Sequence, residues 1–262
     1  MFIWKGVLYL HQIYKIILMK KLVLSAFLLA GFMFTSCDKN DDNTTVEEGT
    51  VDVSKMYLPS KITADDYTTI FTYNNKAQLT KIVESDGYEY TFSYSGDQLV
   101  EATATESNIK TFYTFSQAGT KLTVNMKAEI NGQTHNDTEI LTLDSKGNLL
   151  NDGYFNYTYD ANGNITKMKS DDSEEIVLKY DDKNGIYKNV KLPQWVFAYI
   201  MSEQLNIVNN VVDIDYEDSE FPEDNFTGTV TYNYNADNYP VKMVAKSTLE
   251  DDFSQTIEYT KK

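Results

Sequence analysis

The sequence predicts an all-β protein: a long antiparallel meander of repeated hairpins, roughly 14–16 strands, curled into an open or closed barrel-like sheet. One short apolar helix, at about residues 193–205, is expected to pack on that sheet. Three observations predict this. In Phe155-Asn156-Tyr157-Thr158-Tyr159 the aromatic and polar residues alternate, the period of a half-buried strand. The closing residues of successive arms recur 21 apart: Tyr73 to Tyr94, Tyr94 to Phe115, and Tyr159 to Tyr180. Between arms lie Asp160-Ala161-Asn162-Gly163-Asn164 and its relatives, suited to type I turns in which Gly163 takes a positive φ.

Residues 1–18 are apolar but interrupted by Lys5, His11, Gln12 and Lys15, and a second Met followed by two lysines comes next. They are expected to be a gene-model extension, with Met19 the true start rather than Met1. Residues 19–36 then carry a basic start, an apolar run from Leu22 to Phe34 and small residues before Cys37, the layout of a signal peptide. That run is short for a membrane-spanning helix. Residues 37–55 are acidic and poor in apolar side chains, as expected of a flexible tether.

The repeat-hairpin β domain is expected over residues 56–262. Its alternating arms are Phe71/Tyr73, Tyr90/Phe92/Tyr94, Tyr113/Phe115, Leu141/Leu143, Phe155/Tyr157/Tyr159, Ile176/Leu178/Tyr180, Val230/Tyr232/Tyr234 and Ile257/Tyr259. Asp144-Ser145-Lys146-Gly147-Asn148 repeats the turn at Asp160 in step. Asn235-Ala236-Asp237-Asn238 places Asn at the left-handed position, and Asn74-Asn75-Lys76-Ala77 places Ala there, so that turn is expected to be strained or of another type. Gly96-Asp97 suits a two-residue hairpin loop. Pro193 is expected at the first helical position of Pro193–Leu205, a segment apolar almost all round and holding Trp195, so it should be buried. The acidic run from Asp213 to Asp224 reads as a solvated loop before the arm at Val230.

Composition excludes several functions. Lys+Arg total 23 against 39 Asp+Glu, formal net charge is -16, and there is no Arg. A surface this acidic, without the side chain that grips phosphate with two parallel hydrogen bonds, argues against nucleic acid as a partner. The single cysteine, Cys37, excludes an intrachain disulfide and any Cys-x-x-Cys centre.

Two resemblances add to this reading. Phe34-Thr35-Ser36-Cys37 resembles a bacterial lipobox, which implies lipidation at Cys37 and membrane attachment through that lipid. The acidic residues Asp38, Asp41 and Asp42 resemble the surface-export signal of lipoproteins from Gram-negative gut bacteria. This implies an outer-membrane lipoprotein at the cell surface, the periplasmic face being the alternative. Tyr159-Asp160-Ala161-Asn162-Gly163-Asn164-Ile165 is similar to the core of YD-type repeats. Residues 37–262 together resemble an uncharacterised gut-bacterial lipoprotein family, domain of unknown function 4595, described as having a porin-like fold. That family's motifs are structural and name no catalytic residue.

No catalytic, metal or ligand-contact residue is nominated. His135 lies in Asn131-Gly132-Gln133-Thr134-His135-Asn136-Asp137-Thr138-Glu139, which reads as a hairpin connection; with Asp137 and Glu139 it could present three metal-ligating groups on one side of a strand, against the simpler reading of an exposed loop histidine. Asp160, Asn162 and Asn164 have the opening spacing of a calcium loop and Asp171 falls at its twelfth position. Ile165, however, stands where such a loop needs Gly. No cofactor is expected, with calcium the one candidate ion. The expected function is a non-enzymatic binding or structural module for a glycan or protein partner. The alternatives are a glycan hydrolase with unidentified carboxylates and a membrane-embedded β-barrel.

Overall fold

The computed structural model describes residues 56–64, 67–201, 208–249 and 252–261. The signal peptide, Cys37 and the tether lie outside the described residues. Sixteen strands follow one another in chain order. The first eight are Tyr57–Ala64 (β1), Tyr67–Tyr73 (β2), Leu79–Glu84 (β3), Glu89–Ser95 (β4), Gln98–Glu106 (β5), Ile109–Ala118 (β6), Lys121–Ile130 (β7) and Gln133–Leu143 (β8). Then come Leu149–Asn151 (β9), Phe155–Tyr159 (β10), Ile165–Ser170 (β11), Glu174–Tyr180 (β12), Val211–Asp218 (β13), Phe226–Tyr234 (β14), Pro240–Ser247 (β15) and Phe253–Lys261 (β16). Each strand pairs antiparallel with its sequence neighbours, and β1 pairs with β16, from Tyr57 opposite Lys261 to Ala64 opposite Gln255. The predicted meander therefore closes into a barrel, which leaves no edge strand unpaired.

Side-chain alternation decides what lies inside. Phe71, Ile82, Phe92, Ala102, Val124, Leu141, Phe155, Tyr157, Met168, Ile176, Ile214, Val230, Met243 and Ile257 are buried and belong to one apolar cluster. The alternate residues are polar: Thr72, Ser93, Glu101, Asn125, Thr158, Lys179 and Glu258 are exposed or sit in outward ion pairs. A barrel of about sixteen strands is wide enough to hold a water-filled channel. This one is filled instead by its own chain.

The filling comes from the connection between β12 and β13, of which residues 181–201 and 208–210 are described. Their helix α1, Gln194–Tyr199, buries Trp195, Val196, Phe197 and Ala198. Ile186, Tyr187, Val190, Leu192, Ile200 and Met201 are buried in the same cluster as the strand residues. Tyr187 meets Phe71 edge-on at 5.4 Å, and Trp195 meets Phe115 edge-on at 4.9 Å, tying the insertion to β2 and β6. The predicted buried helix is thus present, though shorter over the described residues. Pro193 is its N-cap, one position before the helix proper.

Two expectations are corrected. Asp213–Asp218 is not loop but strand β13: Ile214 and Tyr216 turn inward while Asp215 and Glu217 stay exposed, an alternation that the density of acids obscures. Only Ser219–Asn225 forms the connection to β14, with a single 3-10 turn at Pro222–Asp224. His135 belongs to β8, opposite Ala128, and the β7–β8 connection is only Asn131-Gly132.

Candidate functional site

The chain's turns alternate between two poles of the barrel. One pole collects the turns at 74–78, 96–97, 119–120, 144–148, 160–164 and 235–239 together with the 181–210 insertion, and it is built from a repeated polar motif. In the turn after β10, the Asp160 backbone N–H donates to Asn164 O at 2.9 Å. Its Oδ1 accepts from the N–H groups of Asn162 and Asn164, both at 2.9 Å. The same three bonds recur with Asn74, with Asp144 and with Asn235 as the acceptor residue. The fourth residue of each motif has positive φ: Ala77 at 62°, Gly147 at 87°, Gly163 at 97° and Asn238 at 61°. The left-handed positions predicted for Gly163, Asn238 and Ala77 are therefore present. Only at Ala77 does a β-carbon without a polar side chain bear the cost.

The insertion obeys the same rule. Asp181 N–H donates to Asn210 O at 2.9 Å, and Asp181 Oδ1 accepts from Lys183 N–H and Asn210 N–H, both at 3.0 Å. Asn210 occupies the place of Asn164. The whole plug is held in the middle of one ordinary turn.

Beneath these turns runs a ladder of tyrosines that gives the 21-residue spacing its physical meaning. Tyr73 donates its hydroxyl to Pro59 O at 2.8 Å, Tyr94 to Leu79 O at 2.8 Å and Tyr159 to Leu149 O at 2.6 Å. Tyr180 donates to Ile165 O at 2.6 Å, Tyr232 to Val211 O at 2.8 Å and Tyr259 to Pro240 O at 2.9 Å. Each rung runs from an even-numbered strand to a residue at or near the start of the strand before it. Register shifts occur at Tyr73, Tyr94, Tyr159 and Tyr180, where the extra bulge residue loosens the ladder of backbone bonds. The hydroxyl of each of these tyrosines bonds a carbonyl of the strand on its other side. Burial raises the ionisation of Tyr73, Tyr94, Tyr159, Tyr180, Tyr232 and Tyr259 above the ordinary tyrosine value. Tyr159→Phe is expected to lose about 1 kcal/mol, read as a melting temperature ~2–4 °C lower. An unchanged melt would show that the rung at Leu149 O adds nothing.

The even-numbered strands β6 and β8 have no such rung among the described residues. Phe115 and Leu143 take the inward places, and between them a cleft of about 850 Å³ opens at this pole. Phe115, Leu122, Leu143 and Trp195 make its apolar floor. Tyr94 and Tyr159 flank it, and the turns at Asp97, Asp144 and Asp160 form its rim with Gln98, Gln117, Lys146 and Gln194. Much of the polar surface is already engaged. Asp144 accepts from Asn148 Nδ2 at 2.8 Å besides its two backbone donors. Partial burial pushes its carboxyl up, but these bonds outweigh that and hold it below the ordinary carboxylate value. Gln194 differs: its Nε2 donates to Gly163 O at 3.3 Å, while its buried Oε1 has no hydrogen-bond partner.

The residues weighed as ion ligands from the sequence are not brought together here. Asp160 and Asp171 lie at opposite ends of β11, where Asp171 accepts from Asn156 Nδ2 at 3.1 Å. His135, Asp137 and Glu139 do share the inward parity of β8, yet Glu139 accepts from Tyr199 OH at 2.7 Å and Asp137 Oδ1 from Thr138 N–H. Among the described residues no group of three or more His, Cys, Asp or Glu lies within reach of one metal ion. Toward the far pole, Glu174 accepts from Tyr154 and, at 3.2 Å, from Tyr216, while Asp152 accepts from Tyr157 at 2.7 Å. Sequence reasoning missed both the cleft and these inward carboxylates, because no linear spacing marks either.

Fold and cleft together define a class: a closed, self-filled, sixteen-stranded meander barrel with a cleft at the pole that carries the plug. No family model matches the chain. It is 34% identical over 122 residues to the tRNA nuclease WapA of Bacillus subtilis and, equally, to the tRNA3(Ser)-specific nuclease WapA of Bacillus spizizenii. That match covers 45% of this chain and 5% of each of those far longer proteins. Among solved structures, a porin-like protein from Bacteroides vulgatus aligns with TM-score 0.42 and 11% identity, over 78% of this chain and 99% of that one. A porin-like protein from Bacteroides uniformis aligns with TM-score 0.41 and 14% identity, over 77% and 98%.

Proposed function

We propose that this is a lipid-anchored binding module of the outer membrane or cell surface, without enzymatic activity, which holds a glycan or protein partner at the plugged pole. The observation that supports it most is the ≈ 850 Å³ cleft, within the size range of small-ligand sites, at the pole where the insertion packs its apolar side chains among those of the strands. The outward strand faces carry Thr, Lys, Glu and Asn, where a membrane-spanning barrel needs an apolar band. Attachment through Cys37 fits that polarity, as does the resemblance to the surface lipoprotein family. Nucleic acid is disfavoured by the excess of acids and the lack of Arg.

A glycan array probed with the full-length protein, followed by a hydrolysis assay on each hit, tests the reading. Binding without turnover supports it. Turnover of a bound glycan would replace it with a hydrolase, and the inward carboxylates Asp152 and Glu174 would become the first residues to substitute. Radiolabelled fatty acid should enter the wild-type chain and not Cys37→Ala; labelling of both would remove the anchor.

A further inference from the structure

The chemistry of the cleft narrows its occupant. Two of the aromatic rings beside it have their hydroxyls turned away: Tyr94 OH is held by Leu79 O and Tyr159 OH by Leu149 O. They therefore offer ring surface rather than a polar tip. Phe115 and Leu143, at the two strands where the tyrosine ladder has no rung, extend that apolar surface to the floor. The carboxylates of Asp144 and Asp160 are bound by the N–H groups and Asn side chains of their own turns. What remains to meet a ligand is largely carboxamide: Gln98 and Gln117 at the rim, both exposed, the Nε2 of Gln117 also donating to Gly119 O at 3.0 Å.

The Oε1 of Gln194, by contrast, is a buried acceptor that solvent does not touch, so it lies behind the surface offered to a ligand. The rim carries Asp97, Asp144 and Asp160 against Lys146 and Lys191, on a chain of net charge -16. An anionic ligand is thus repelled both locally and at long range.

From these features, and resting on the binding-module reading above, we infer that the cleft takes a short neutral saccharide. One sugar ring lies with its C–H face on the partly exposed rings of Tyr94, Phe115 and Tyr159, and its hydroxyls bond the carboxamides of Gln98 and Gln117. A pyranose combines the two surfaces this lining asks for, an apolar face and an edge of uncharged donors and acceptors. Carboxamides bond such edges without needing a counter-charge.

The test is calorimetric titration of the full-length protein with maltose, cellobiose, lactose and diacetylchitobiose, with a sulfated disaccharide and an acidic tetrapeptide as controls. At least one neutral disaccharide is expected to bind, and neither control. Gln98→Ala and Gln117→Ala are each expected to weaken that binding at least tenfold; both side chains are exposed, so neither change disturbs the core. Binding that both variants retain would overturn the assignment to this cleft while leaving the binding module in place. Binding of the sulfated sugar or the peptide in preference would overturn the ligand class. Failure of every sugar here and on the array would remove the inference and the glycan arm of the proposed function together.

Discussion

Replacing residues 182–209 with Ala-Asn-Gly is expected to yield a chain that keeps β-sheet signal in the far ultraviolet but loses its cooperative melt. The replacement sets Asp181 and Asn210 at the spacing of Asp160 and Asn164, so the turn itself has its three hydrogen bonds available. What disappears is the filling. Ile186, Tyr187, Val190, Trp195, Val196 and Phe197 are all buried, and each large side chain contributes about 1.5–3 kcal/mol. Their sum is comparable to the whole net stability of a domain, about 5–15 kcal/mol. The strand residues that faced them would also be left around a void or around water. Trp195→Ala alone is expected to cost about 3–5 kcal/mol. Near-ultraviolet circular dichroism and dye binding during a thermal melt would read both effects. A sharp transition within a few degrees of wild type would mean that the strands carry the fold unaided.

Alkaline pH should unfold the barrel, and the tyrosine ladder fixes the direction. Burial raises the ionisation of Tyr73, Tyr180, Tyr232 and Tyr259 well above the ordinary value of 10.0. Above that value the unfolded chain releases protons that the folded chain retains, so stability falls as pH rises. The stabilisation is complete below about pH 10 and is lost progressively toward the raised folded values. Each such tyrosine contributes a slope of about 1.4 kcal/mol per pH unit, so four together far exceed the effect of any one surface ion pair. Phenolate absorbance near the ultraviolet edge and circular dichroism should change together in one cooperative step above pH 10. Smooth titration of all tyrosines near their ordinary value, with the sheet intact, would show that the hydroxyls are open to water and that the rungs do not form.

Much of this architecture was legible in linear order because both of its determinants are local. Alternation placed Phe155 and Tyr157 inside, and a turn with Gly at its left-handed position needs only five residues. The sequence also carried the 21-residue recurrence, but not its cause, since the carbonyls that accept from Tyr94, Tyr159 and Tyr180 belong to the preceding strand. Closure was not legible: the pairing of β1 with β16 joins the two ends of the domain, and no nearby residue announces it. Asp213–Asp218 reads as loop in linear order because its density of acids hides the inward period of Ile214 and Tyr216. The cleft was invisible for a related reason, as it forms where Phe115 and Leu143 replace a pattern, and Trp195 enters from a distant segment.

The Asp181–Asn210 pairing has a broader consequence. Twenty-eight residues pass between two groups that hydrogen-bond as though only three lay between them, so the length of a connection at this pole is uncoupled from the alignment of the strands it joins. Asp144–Asn148 and Asp160–Asn164 use the same clasp and hold neighbouring strands just as firmly. Either can therefore serve as a graft acceptor, where foreign loops of quite different size are inserted while the barrel's hoop of hydrogen bonds stays in step.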